Sequence, residues 1–232
     1  MEKIDDLRLM EMYISKYNIN EIFTNDMKQF MELMIFKKNE HICKDGEVIE
    51  YLFFFVKGKA KVYTTLGNGK SLLLCFYKEF KVLGDLEIIE CETASTNVQV
   101  IEETLCIGIS KENVNKYLLK DSKFLTFICS SLSSKLNRCS KNSSINLLYP
   151  LKNRLASYIL ATAEKKDNDS KENIVLNDNL TEISELLGTS YRHLLRTINT
   201  LCINEIIRKK DNYYEIIDEM NLRKLASDLY MD

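Results

Sequence analysis

From about residue 40 to 110 the chain alternates short apolar stretches with glycine turns. Six of its seven glycines, Gly46, Gly58, Gly67, Gly69, Gly84 and Gly108, fall in this interval. Asp45-Gly46 and Gly67-Asn68-Gly69 carry tight-turn chemistry, because glycine reaches the left-handed backbone that such turns use. Tyr51 to Val56, Ala60 to Thr64 and Ser71 to Tyr77 hold the β-branched and aromatic residues of strands. Short strands at this spacing predict a small barrel or jelly-roll. Before it, residues 1 to 36 read as helices, with Leu7, Met10, Ile14 and Tyr17 at helical spacing. After Ser110 the turns vanish, and a long helix is predicted to about Asn146. Within it Ile128, Leu132, Leu136, Cys139 and Ser143 recur at intervals of four, four, three and four. That heptad-like seam suits two helices packed together; a helix lying on its own domain's core is the alternative.

Pro150, the only proline, ends this helix and can begin the next, Leu151 to Glu164. Glu164 to Asn173 is so polar that it reads as a surface loop, followed by a short strand from Ile174 to Leu176. The segment Asn179 to Leu201 (NLTEISELLGTSYRHLLRTINTL) then has the grammar of a helix-turn-helix. Asn179 with Glu182 forms an Asn version of the capping box, and Leu180, Ile183 and Leu187 line one face. Gly188 closes the first helix in a tight turn and Ser190 caps the second two residues later. Leu194, Ile198 and Leu201 point inward, which leaves Tyr191, Arg192, His193 and Arg196 on the open face. Glu205 to Ile217 reads as strand, polar turn, strand: a wing, with Lys209 and Lys210 at its turn.

The net charge is only −2, but Arg192, Arg196, Arg208, Lys209 and Lys210 gather against Glu205 alone. Local charge of this kind governs contact with DNA. Tyr51 to Val56 shows how short the apolar runs are, far below the roughly 20 residues that span a bilayer. The first twenty residues mix Asp5, Asp6, Arg8 and Glu11 among apolar ones, unlike a secretory leader; a cytoplasmic protein without membrane contact is expected. Seven scattered cysteines, 43, 75, 91, 106, 129, 139 and 202, without a C-x-x-C pair argue against a disulfide scaffold. His41 and His193 are the only histidines, so a His-rich metal site or a Ser-His or Cys-His catalytic pair has little to be built from. No enzyme activity and no metal are expected.

The order of these parts resembles the cyclic-AMP receptor protein/FNR family of bacterial regulators over nearly the whole chain after residue 20. The resemblance rests on KDGEVIEYLFFFVKGKAKVY, on GDLEII (Gly84 to Ile89) at the family's Gly-Glu-Leu turn, on RLA (Arg154 to Ala156), and on LGTSYRHLLRTINTL. GNGKSLLLCFY together with SYRHLL looks most like the YeiL branch. The resemblance implies an α+β fold: a double-stranded β-helix (jelly-roll) sensor domain over residues 1–115, a dimerisation helix over 116–149, and a winged helix-turn-helix over 150–232. It implies a homodimer on a near-palindromic double-stranded DNA operator, with RNA polymerase as a further partner if the protein activates. Arg196 falls where the family reads guanine, and Tyr191, Arg192 and His193 fall where members vary with their operators. Arg192 stands where many members place a base-reading Glu, so a different operator is expected. The DNA-facing set is then Asn179, Thr189, Ser190, Tyr191, Arg192, His193, Arg196, Lys209 and Lys210, and the seam is Ile128, Leu132, Leu136 and Cys139.

Two departures bear on the signal. Cyclic-nucleotide-binding members carry an Arg about ten residues after the Gly-Glu-Leu turn. Ala94 stands about there in this chain, and no arginine occurs between Arg8 and Arg138. A buried phosphate calls for a bidentate donor, so cyclic AMP is not expected to bind and the effector is unassigned. An FNR-type iron-sulfur cluster needs several cysteines near the N-terminus, and none precedes Cys43. Redox or other cluster sensing through Cys43, Cys75, Cys91 and Cys106 stays as a secondary expectation beside buried inert thiols. The competing functional class is a cyclic-nucleotide-binding regulatory module without DNA binding, which the basic recognition helix disfavours.

Overall fold

The computed structural model describes residues 1–78, 80–90, 93–168, 171–227 and 229–230. Its contacts divide an α+β fold into two units, Met1–Thr64 with Tyr77–Cys139, and Thr65–Phe76 with Ser140–Asp232.

In the first unit β1 (Glu2–Ile4) leads into α1 (Leu7–Lys16), which Asp6 caps by accepting from the Leu9 amide at 2.9 Å. Then come β2 (Met31–Phe36), β3 (His41–Cys43) and the long β4 (Tyr51–Thr65). A turn at Gly67-Asn68-Gly69 opens β5 (Ser71–Tyr77), followed by β6 (Lys81–Leu83), α2 (Asp85–Glu90) and β7 (Asn97–Ser110). The antiparallel order is β1-β2-β7-β4, with β3 on β7 and β6 on β4. Met31–Phe36 corrects the helical reading of residues 1 to 36. It pairs along its whole length with β7, Met31 opposite Ile109 and Phe36 opposite Thr104. The run has no strong local preference against a helix, and tertiary pairing decides it. The two stretches read separately as Tyr51 to Val56 and Ala60 to Thr64 are one strand, bulged between Phe55 and Ala60. Gly84 has φ +84°, and a Cβ there would stand 2.6 Å from the Tyr51 carbonyl oxygen, so the turn into α2 requires glycine.

A short α3 (Lys111–Asn113) continues as a wider turn to Leu118, and α4 (Ser122–Leu148) begins after Asp121. The Asp121 carboxylate accepts from the Lys123 amide at 2.9 Å and from the Thr24 amide and hydroxyl at 2.7 Å each. Phe124 and Ile128 enter the roll's core, where Phe124 stacks on Phe23 at 6.1 Å and Phe23 meets Phe54 edge-on.

The second unit follows Pro150 with α5 (Leu151–Thr162), β8 (Glu164–Asn168), β9 (Lys171–Leu176), α6 (Leu180–Leu186), α7 (Tyr191–Ile203), β10 (Ile207–Lys209), β11 (Tyr214–Ile216) and α8 (Glu219–Ala226). Its sheet runs β10-β11-β9-β8. The segment read as a charged surface loop is therefore mostly a hairpin: Glu164 pairs with Val175 and Asn168 with Lys171. An edge strand tolerates such polarity because backbone pairing does not depend on apolar side chains. Leu155, Ile159, Ile183, Leu194, Ile198 and Leu222 are fully buried. Residues 71–76 of β5 belong to this unit. Asn142 donates to the Leu74 carbonyl, the Phe76 amide donates to Tyr230 O at 3.4 Å, and Phe76 meets Tyr158 edge-on. The outer edge of that strand is thus satisfied by side chains and the C-terminal turn rather than by another strand.

Candidate nucleic-acid interface

Two helices and a turn position the basic side chains. Asn179 Oδ1 accepts from the Thr181 amide at 2.8 Å and starts α6. Gly188, at φ +59°, ends the turn after it, with the Thr189 amide donating to Ser184 O at 2.9 Å. Ser190 Oγ accepts from the His193 amide at 3.2 Å and starts α7, and Thr189 Oγ1 lies 3.2 Å from His193 Nδ1. The first turn of α7 is thereby held with its amide dipoles outward, the arrangement that favours an anion.

On α7 the burial follows a helical stripe. Leu194, Thr197, Ile198 and Leu201 face the core, while Tyr191, Arg192, His193, Arg196, Asn199 and Thr200 are exposed. Arg192, Arg196 and Asn199 are four and three residues apart, so they share one outward face. Neither arginine has an ion-pair partner among the described residues. The wing follows as β10 and β11, with Arg208 opposite Glu215 and Lys209 opposite Tyr214. Arg208, Lys209 and Lys210 are exposed; Lys210 lies 3.6 Å from Glu215. Asn199 and Arg208 were outside the set expected from the pattern, although Asn199 falls three residues beyond Arg196 and the helical period alone points to it. Arg154, known from sequence only as part of RLA, donates through Nη1 to Leu187 O at 2.6 Å and through Nε to Tyr149 O at 3.3 Å. It ties the helix-turn-helix corner to α5, a role that no local pattern announces.

Helix α4 shows two faces. Phe124, Ile128 and, in part, Leu132 pack into the roll. Leu125, Cys129, Leu136, Cys139, Ser143 and Leu147 are exposed, with Leu136 at 72% and Leu147 at 83%. Of the expected seam, Leu132, Leu136 and Cys139 lie on or beside this open stripe. Ile128 turns into its own core, and Cys129 takes its place outside.

The end of the roll near Gly84 is acidic. Asp85, 1% exposed, accepts from Ser131 Oγ at 3.2 Å and is ion-paired with Lys135. Burial raises the Glu87 carboxyl, and burial followed by the neighbouring carboxylate of Glu87 pushes the Cys43 thiol up to about 12. Burial raises Cys106 as well. Ala94 is buried, its amide donating to Glu47 O at 2.9 Å. Cys91 lies outside the described residues. No helix among the described residues is long and apolar enough to cross a membrane.

Residues 33–121 match a cyclic nucleotide-binding domain and residues 153–225 a Crp-like helix-turn-helix domain. Regulatory protein YeiL of Escherichia coli O157:H7 is 30% identical over 216 residues, which span 93% of this chain and 95% of that one. A CRP-like cAMP-activated global transcriptional regulator of Mycobacterium tuberculosis (strain CDC 1551 / Oshkosh) is 19% identical across 82% of this chain and 86% of that one. Among solved structures, a transcriptional regulator of the CRP/FNR family from Thermus thermophilus has the same fold, with TM-score 0.66 at 16% identity, covering 85% of this chain and 100% of that one.

Proposed function

The chain belongs to the CRP/FNR family of transcription regulators, which are not enzymes, and from that premise we propose that it acts as a homodimer reading a near-palindromic operator. Two copies of α7 enter successive major grooves about 34 Å apart. The observation that carries this reading is the capped α7 with Arg192, Arg196 and Asn199 on one exposed face. Arg196 donates two hydrogen bonds to guanine O6 and N7, and Tyr191, Arg192 and His193 meet the bases that distinguish this operator from others. Asn179, Thr189 and Ser190 at the helix starts bind phosphates, as do Lys209 and Lys210 on the wing, the latter after leaving Glu215. Where the protein activates, RNA polymerase is its further partner; these partners are cytoplasmic.

The signal is one other than cyclic AMP. Ala94 offers no charge where the resemblance puts the phosphate-binding Arg, and among the described residues Lys135 is the cation that Asp85 and Glu87 meet. A phosphate entering there would meet excess negative charge and pay for desolvation without a bidentate donor. The signal instead acts through the roll on α4, because Phe124, Ile128 and Leu132 belong to the roll's core and to the helix at once.

Selection of bound duplexes from a random-sequence pool, run with and without cyclic AMP, tests both halves. An inverted repeat, enriched alike in both runs, is expected. No enriched motif would contradict operator reading, and a motif that needs cyclic AMP would contradict the reading of the roll.

A further inference from the structure

The outward stripe on α4 runs Leu125, Cys129, Leu132, Leu136, Cys139, Ser143 and Leu147, exposed except for the half-buried Leu132, at intervals of four, three, four, three, four and four. The opposite side of the helix is committed to its own roll: Phe124 and Ile128 are buried, Ser131 and Lys135 hold Asp85, and Arg138 lies over the Tyr77 ring at 5.0 Å. The helix therefore cannot turn to bury the stripe without breaking those contacts. A second copy of the same helix is the occupant that its heptad spacing fits, and in a symmetric parallel pair each stripe residue meets its own counterpart. Axes about 8–10 Å apart, with Cα atoms about 2.3 Å from each axis, leave roughly 3.4–5.4 Å between facing Cα atoms, so the wider half of that range is the one a disulfide fits. A disulfide spans about 4.4–6.8 Å.

We propose that Cys129 and Cys139 are redox staples of the dimer, Cys129 bonding to the partner's Cys129 and Cys139 to the partner's Cys139. This rests on the homodimeric reading. The other described thiols are poorly placed for the chemistry. Cys43, Cys75 and Cys106 are buried, burial raises Cys43 and Cys106, and Cys202 is half-buried and raised for the same reason; only a thiolate that can be reached reacts. The oxidant is a peroxide. One thiol is oxidised to a sulfenic acid, releasing water as the peroxide O–O bond breaks. The facing thiol ionises and its thiolate attacks that sulfur, the S–S bond forms as the S–O bond breaks, and the hydroxide takes up the proton the thiol released and leaves as a second water. Two thiols have lost two electrons and two protons, and one peroxide has become two waters. The staple makes α4 pairing intramolecular, so the oxidised dimer keeps its DNA-reading geometry on dilution where the reduced one separates.

The test uses the full chain, reduced and then treated with hydrogen peroxide, on a denaturing gel without reductant, with peptide mass mapping and sedimentation of the untreated chain. Wild type should shift from 27.1 kDa to the mass of two chains, with Cys129 and Cys139 peptides each joined to themselves. Cys129→Ser and Cys139→Ser singly should still shift, and the double variant should not; reductant should reverse the shift. A reduced chain that sediments as two copies yet never cross-links overturns the staple and leaves the dimer standing. Cross-linking through other cysteines overturns it equally. A chain that sediments as one copy overturns both.

Discussion

Lys135→Ala should lower the stability of the roll by about 3–5 kcal/mol, measured as a fall in the denaturant midpoint. The substitution leaves Asp85, 1% exposed, with the Ser131 hydroxyl and no cation among the described residues, and an uncompensated buried carboxylate costs that much. The pair itself is not the source of the number. Replacing both members, as Asp85→Asn with Lys135→Met, removes both charges together, and the double variant should lie much closer to wild type. Equal losses in the single and double variants would show that Lys135 acts through packing of its stem alone.

Arg196→Ala should lose about 1–3 kcal/mol of binding free energy on the selected operator and relax its preference at one guanine in each half-site. Arg196 is exposed on the face of α7 opposite Leu194 and Ile198 and makes no ion pair among the described residues, so the fold does not depend on it. Lys209→Ala should behave differently. It should weaken all duplexes alike and lower the salt slope by about one, since a phosphate contact carries no base information. Titrations of labelled duplexes across a salt series distinguish the two. Unchanged affinity and unchanged base preference in Arg196→Ala would remove it from the reading helix.

Much of the helix-turn-helix was legible because its signals are local. Asn179, Gly188 and Ser190 each satisfy or redirect backbone within a few residues, and capping chemistry of that kind is written in the residue types. Where structure and pattern differ, long-range contacts decide. Met31–Phe36 becomes a strand because β7, far along the chain, pairs with it. Glu164–Asn168 becomes a strand because β9 follows it, whatever its charge. On α4 both sides carry apolar residues, so periodicity places Ile128 and Leu136 on one seam. The roll then claims Ile128 and leaves Cys129 outside. Neither the Asp85–Lys135 pair nor the clamp of Arg154 on Leu187 O has a sequence signature, since each joins residues distant in the chain.

The most direct measurement is affinity against half-site separation. Duplexes carrying the selected half-site as an inverted repeat, with centres from about 5 to 16 base pairs apart, would be titrated with the dimer. The account predicts tightest binding near one helical turn, about 10 base pairs. Half-sites moved half a turn out of phase should bind about a hundredfold more weakly, near the affinity of a single half-site, because the second helix can no longer add its contacts. Affinity that is the same at every separation would contradict a pair of recognition helices held at fixed spacing.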